Sequence, residues 1–159
     1  MAEQEPEQGL VIRKAVKEDV EVIVRLANAG GPEGRPRREL PDVLPDAYYQ
    51  AFARIIADAN QQLMVAESQG TVVGTFHLTF IYYLAAAGRP DLQIEAIHVA
   101  ANQRRRGLGT KMLQWAIALA QEHDCRRVQL TTDKRRREAH GLYLRLGFVF
   151  SHEGAKLYL

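Results

Sequence analysis

The stretch Gln103-Arg104-Arg105-Arg106-Gly107-Leu108-Gly109-Thr110 is the most chemically informative in the chain. It follows a short apolar run, LQIEAIHV (residues 92–99), and opens into a long helical pattern. Its backbone amides are therefore the donors that a helix N-terminus leaves without partners. They carry partial positive charge and suit an anion. Gly107 and Gly109 remove side chains that would keep a phosphate from the backbone, and Arg104 and Arg106 add charge beside it. The plainer reading is a basic strand-to-helix turn with no ligand. Three arginines at a helix start oppose its dipole, however, and an anion would remove the conflict. The spacing is neither the P-loop G-x-x-x-x-G-K-[ST] nor the dinucleotide G-x-G-x-x-G.

Glu95 stands inside the preceding run, where a carboxylate in an inner strand costs free energy unless it is paired or used. Strict alternation groups it with Ile97 and Val99 and turns His98 to the other face, as a structural histidine. Cys125 has no histidine at a spacing that suggests activation, and the five histidines lack HExxH or comparable ligand spacing. No metal site is expected.

These residues need a frame. Residues 1–9 read as an acidic, flexible tail and 10–159 as one domain. Residues 10–15 pattern as a strand, and KEDVEVIVRLANAG as a helix ended by Gly30 and Gly31. The Gly/Pro-rich segment that follows suggests a binding lid or a mobile segment. DAYYQAFARIIADAN restores a helical stripe, and residues 62–84 read as a hairpin turning near 68–70. After the strand at 92–99 comes the longest helix, whose polar stripe is Lys111, Gln114, Ala118 and Gln121. CRRVQLTT is a strand, EAHGLYLRL a short helix closed by Gly147, and FVFSHEGAKLYL supplies the last strand material. Strand–helix alternation with antiparallel pieces at the start predicts an α/β domain, a mixed sheet flanked by helices.

The turn Arg104-Arg105-Arg106-Gly107-Leu108-Gly109 matches [RQ]-x-x-G-x-[GA], and Ala139-His140-Gly141-Leu142-Tyr143-Leu144-Arg145-Leu146-Gly147-Phe148 matches A-x-x-x-Y-x-x-x-G-F. With both motifs in this order and separation, the chain resembles the GNAT superfamily of N-acetyltransferases, sharply over residues 62–159. The resemblance implies a mostly antiparallel central sheet and acetyl-CoA as cosubstrate. Its pyrophosphate would be held by the 104–110 turn (Arg104, Arg105, Arg106, Gly107, Leu108, Gly109 and Thr110). The strand ending Ile97-His98-Val99 resembles the one whose backbone pairs with the pantetheine arm. Many members carry Asn three residues before the motif alanine; Arg136 takes that place here. Residues 130–148 also look like bacterial aminoalkylphosphonate N-acetyltransferases.

The implied reaction is attack of an amine on the acetyl thioester. A free alkyl amine is protonated at neutral pH, much like lysine with a pKa of about 10.4, so a base must accept a proton. Glu95 is the candidate base, with a structural ion pair or binding of the acceptor ammonium as alternatives. Tyr143 is the candidate acid towards the thiolate, and the Val99 amide the donor to the thioester oxygen. His140 is either a minor acceptor contact or structural. Tyr48, Tyr49, Tyr82 and Tyr83 are candidates to line the acceptor pocket. Arg135, Arg136 and Arg137 at a helix opening hint at an acidic or phosphorylated acceptor, or at further coenzyme phosphate contacts.

Composition sets the outer limits. The 159 residues are 47% apolar and 25% charged, with a net charge of +2, an ordinary globular balance. No apolar run reaches the roughly 20 residues of a membrane helix, and the acidic N-terminus lacks a signal-peptide pattern, so the expectation is cytoplasmic with no membrane partner. Arginines cluster at Arg35/Arg37/Arg38, Arg104–Arg106, Arg126/Arg127 and Arg135–Arg137, but no helix-turn-helix, RNA-binding or zinc motif accompanies them. The expected partner is a small-molecule amine rather than nucleic acid, as the resemblance implies, with a protein N-terminus or lysine as the alternative acceptor. A coenzyme A- or nucleic-acid-binding module without turnover is the alternative from another class. Dimers are common in families of this look, which leans the expectation towards a homodimer.

Overall fold

A computed structural model describes residues 9–30 and 36–159. The acidic tail at 1–8 and the start of the Gly/Pro-rich segment, 31–35, lie outside the described residues. The elements run β1 (Leu10–Lys14), α1 (Val20–Ala29), α2 (Asp46–Ala57), β2 (Gln61–Ser68), β3 (Thr71–Tyr82), β4 (Pro90–Val99), α3 (Leu108–Glu122), β5 (Arg127–Leu130) and α4 (Arg137–Arg145). The sheet keeps chain order, β1-β2-β3-β4-β5, with antiparallel pairs throughout except the parallel β4–β5 pair. The β2–β3 hairpin turns on Gln69 and Gly70, both at positive φ, the two-residue geometry that matches strand twist.

Period two on the strands divides the core. Phe76, Leu78 and Phe80 of β3, with Leu92 and Ile94 of β4, face Met112, Leu113 and Ala116 of α3 and Tyr143 of α4. Burial of each large apolar side chain stabilises by roughly 1.5–3 kcal/mol. The opposite face buries Val65 against Ala15, Val20 and Phe52, with Tyr48 and Tyr49 packed alongside. On α3 the exposed stripe is Gln114, Ala118 and Gln121, as its sequence pattern predicts.

Two charged clusters pin this frame. Asp91 is fully buried and accepts from Arg126 (2.9 and 2.8 Å) and Arg127 (2.8 Å) where β4 meets β5. Asp19, also buried, accepts from Arg13 (2.6 Å) and from the Val16 amide (2.8 Å), tying β1 to the entry of α1. In each case the guanidinium hydrogen bond is the leading cause that holds the carboxyl below its ordinary pKa.

The last strand expected from FVFSHEGAKLYL is a correction: residues 149–159 are exposed and form neither strand nor helix. A strand is a paired state, and the segment leaves α4 at Gly147 (φ +90) without meeting a sheet edge of its own chain.

Candidate active site

β4 has two unlike halves. From Asp91 to Ile94 it pairs on both sides, and Asp91, Leu92 and Ile94 are buried. Beyond Ile94 the β5 ladder stops, because β5 ends at Leu130. There Ala96 adopts φ +51 and the β3–β4 register shifts between Thr75 and His77, one extra residue on β4. This is a β-bulge, and it re-aims the side chains that follow.

The bulge overturns the alternation read from the sequence. Glu95 pairs with His77, on the α1–α2 face opposite Phe76 and Leu78, whereas Ile97 and Val99 pack into the α3–α4 core. His98 therefore returns to Glu95's face: a Cβ built on Gly30, at the end of α1, would overlap His98 Nδ1. Glu95 is also exposed, so the cost of an inner-strand carboxylate does not apply. The His77 Nε2 beside it is buried without a hydrogen-bond partner. Desolvation, only partly opposed by Glu95, lowers the His77 pKa.

The backbone after the bulge is open at its outer edge. Ala100 donates to the Val73 carbonyl (2.8 Å), so alternation turns the Val99 N–H and C=O away from β3. The Val99 carbonyl accepts from Arg104 Nε (3.2 Å). Its amide faces the gap where β5 has ended.

Around His98 stand three guanidiniums. Burial, then Arg136, Arg37 and Arg104 in turn, hold its pKa down to about 4, so the ring is neutral at physiological pH. Arg136 reaches from the start of α4 to the Gly30 carbonyl, and Arg37 joins it there (3.3 Å) while also bonding the Ala27 carbonyl (3.2 Å). Arg37 was only one member of a cluster in the sequence; its part in this group depends on the path of the loop after α1.

The basic turn lies between β4 and α3. Arg105 (φ +64) and Gly107 (φ +77) adopt left-handed conformations, and a Cβ added at Gly107 would meet open space. Gly107 is the N-cap of α3 and offers no side-chain cap, leaving the first-turn amides of Leu108, Gly109 and Thr110 to other partners. A Cβ at Gly109 would meet Leu142 of α4 at 3.6 Å, an ordinary packing contact that does not itself require glycine. Arg106 leans on Gln103 (3.4 Å), and Arg105 lies 3.8 Å from Glu138 in a fully solvated pair. The open strand edge, the uncapped helix start and the empty space over Gly107 fit a coenzyme A arm and its pyrophosphate.

Tyr143 is 8% exposed and shares a core cluster with Ile97, Val99 and Leu130. Burial raises its phenol pKa, against smaller opposing effects of Arg136 and a hydrogen bond from Thr132. It is thus kept protonated near neutral pH, with its ring edge-on to Phe148 at 5.9 Å. His140 is engaged with the Asp133 carbonyl (3.0 Å) and the Phe150 ring. Burial raises the Cys125 pKa, which disfavours a thiolate nucleophile. Tyr82 and Tyr83 are exposed beyond the Pro90 end of β4, far along the strand from Val99, and Tyr48 and Tyr49 serve the α1–α2 core. The aromatic pocket expected from the four tyrosines does not form. Two surface hollows of about 500 and 540 Å³ are lined by no candidate residue. Among the described residues no group of three or more His, Cys, Asp or Glu could hold a metal, and no helix is long and apolar enough to cross a membrane.

This splayed strand, followed by a glycine turn into a helix, is the frame of an acyl-CoA-dependent transferase. The model of the acetyltransferase (GNAT) family matches residues 32–148, and the chain belongs to that family, which uses acetyl-CoA. It is 31% identical over 106 residues to the aminoalkylphosphonate N-acetyltransferase of Salmonella typhimurium, covering 67% of this chain and 68% of that protein. A Bacillus halodurans protein described as a transcriptional regulator superposes with a TM-score of 0.87 at 37% identity, over 95% of this chain and 100% of that one. A Trypanosoma brucei acetyltransferase, 22% identical, shares the fold at a TM-score of 0.77, over 95% and 100% of the two chains.

Proposed function

We propose that the chain moves the acetyl group of acetyl-CoA directly onto the primary amine of a small, anionic molecule in the cytoplasm. The observation that carries the anionic acceptor is the meeting of Arg37 and Arg136 on the Gly30 carbonyl beside His98, on the face that also presents Glu95. Likeness to the Salmonella aminoalkylphosphonate enzyme supports the same substrate class. A phosphonate or phosphate would satisfy guanidiniums that otherwise rest on the carbonyls of Ala27 and Gly30.

Each group then has a task. Arg104, Arg105, Arg106, Gly107, Leu108, Gly109 and Thr110 hold the pyrophosphate, and the open backbone of Ile97, His98 and Val99 aligns the pantetheine arm, with Arg136 beside it. Glu95, exposed on that face, takes a proton from the acceptor ammonium directly or through water. The amine nitrogen attacks the thioester carbonyl, the Val99 amide stabilises the oxyanion, and the C–S bond breaks. Tyr143 delivers its proton to the departing thiolate, and the second N–H proton shed by the acetylated nitrogen restores the phenol. A protein or peptide amine is the competing acceptor. A nucleic-acid module is disfavoured because Arg126 and Arg127 are committed to the buried Asp91.

The test is thiol release from acetyl-CoA against an amine panel that includes aminoalkylphosphonates, amino acids, polyamines and peptides. Turnover should concentrate on the phosphonates, and Arg37→Ala should raise the acceptor KM at least tenfold while the acetyl-CoA KM stays within twofold. Preferential turnover of neutral amines or of peptides refutes the anionic small-molecule acceptor.

A further inference from the structure

Of the buried side-chain nitrogen and oxygen atoms among the described residues, only His77 Nε2 has no hydrogen-bond partner. A buried polar atom in that state costs stability, so its presence asks for a reason. The neighbours of His77 narrow the choice. It stands in the middle of β3, on the face that α1 packs over. On the β2 side it is opposed by Leu63, which joins the apolar cluster of Val65 and Phe52 and offers nothing to a nitrogen. Two residues along the same face of β3, the Thr75 hydroxyl is already engaged with the Met64 carbonyl (2.9 Å). On the β4 side the directly opposed residue is Glu95. Such opposed side chains have Cβ atoms about 4.5–5.5 Å apart, which lets an imidazole and a carboxylate meet directly or through one water.

We propose that His77 is the positioning residue for Glu95: its Nε2–H donates to one carboxylate oxygen, directly or through one water, and turns the other oxygen towards the acceptor amine. Glu95 is exposed, and an exposed glutamate explores several rotamers. A carboxylate already aimed at the ammonium avoids that search in the proton-transfer step. The ring is suited to the task. Desolvation lowers the His77 pKa and keeps the imidazole neutral near pH 7, and a neutral imidazole carries one N–H to donate. The bulge at Ala96 begins just after this pair, so Glu95 keeps its register with His77 while the residues beyond it are re-aimed. His77 neither gains nor loses a proton in the reaction; it acts through Glu95. The catalytic consequence rests on the acetyl-transfer reading, whereas the contact between the two side chains does not.

The experiment joins imidazole NMR of the full chain to a double-mutant cycle. In the wild type the His77 proton should sit on Nε2, and Glu95→Ala should move that proton's resonance upfield by about 1 ppm or more as the charge-assisted bond is lost. His77→Leu, which fills the space of the ring without its nitrogens, should lower kcat about tenfold with the acetyl-CoA KM within twofold. His77→Gln, which returns an amide N–H close to the place of Nε2, should restore kcat to within threefold of the wild type. In a Glu95→Ala background His77→Leu should cost less than twofold, because the group it positions is gone. An Nε2 without a proton, a proton indifferent to Glu95→Ala, or full kcat in His77→Leu would each overturn the proposal. So would failure of His77→Gln to restore turnover, which marks a packing role, or a further tenfold loss in the Glu95→Ala background. A wild type that releases no thiol with any amine would instead sink the acetyl-transfer reading, and the Nε2 proton alone would then judge the contact.

Discussion

The two halves of β4 are made from similar residues and do opposite things. Between Asp91 and Ile94 the strand is paired on both sides, and its one charge is answered by two arginines. Between Glu95 and Val99 it bulges, loses β5, and presents an exposed carboxylate and an unpaired amide. The lesson is that a sheet builds a reactive edge by stopping one ladder early. The closed half resists change, and the open half meets the ligand. Substitutions in the first should therefore alter stability, and those in the second turnover.

The largest expected effect is in the closed half. Asp91→Ala leaves two guanidiniums facing a buried void and should destabilise by about 3 kcal/mol, read by urea unfolding, with kcat of the folded fraction little changed. The pH dependence follows from the sign of the shift. Since pairing with Arg126 and Arg127 lowers the Asp91 pKa in the folded state, its contribution is present above the ordinary carboxylate pKa near 3.9 and is lost as pH falls through the lower folded value. Asp91→Asn should flatten that acid limb.

In the open half, Tyr143→Phe should lower kcat by about 10²-fold with the acetyl-CoA KM within twofold. Equal turnover would remove Tyr143 from the chemistry and leave it a core residue. Glu95→Gln should reduce kcat/KM by roughly 10- to 100-fold. An unchanged kcat/KM would leave Glu95 outside the mechanism, as a structural charge.

The smallest effect concerns His98. Its pKa of about 4 predicts no His98 inflection in turnover between pH 5.5 and 9. In stability the sign is that of a depressed histidine: the unfolded chain, near pKa 6.5, binds protons first, so stability declines as pH drops from about 6.5 towards 4. His98→Asn should remove that decline. An inflection in turnover near pH 6.5 that His98→Asn abolishes would show the ring titrating normally.

Much of this was legible in the residues. The alternation of Phe76, Leu78 and Phe80, the stripe on α3, and the Gly-containing turn into that helix lead directly to the elements observed. What the sequence does not display is the bulge at Ala96. An alanine gives no local cue for φ +51, and one extra residue inverts the facing of everything after it, so His98 moved from bystander to neighbour of Glu95. Asp91 was equally silent. A carboxylate next to a Pro at a strand start reads as a turn residue, and the two arginines that answer it come from a segment 35 residues away. The C-terminal segment was expected to supply strand and does not: residues 149–159 pair with no edge of the sheet.

The decisive measurement is calorimetric titration of the full chain with acetyl-CoA, alongside Gly107→Val, whose branched side chain at φ +77 would both strain the turn and cover its amides. The wild type should bind one equivalent with a Kd of roughly 1–100 µM, in the usual range for such substrates, and the variant at least tenfold more weakly with its fold intact. No heat up to millimolar acetyl-CoA, or equal binding by the two proteins, would contradict the assignment of the open strand and its glycine turn to the coenzyme.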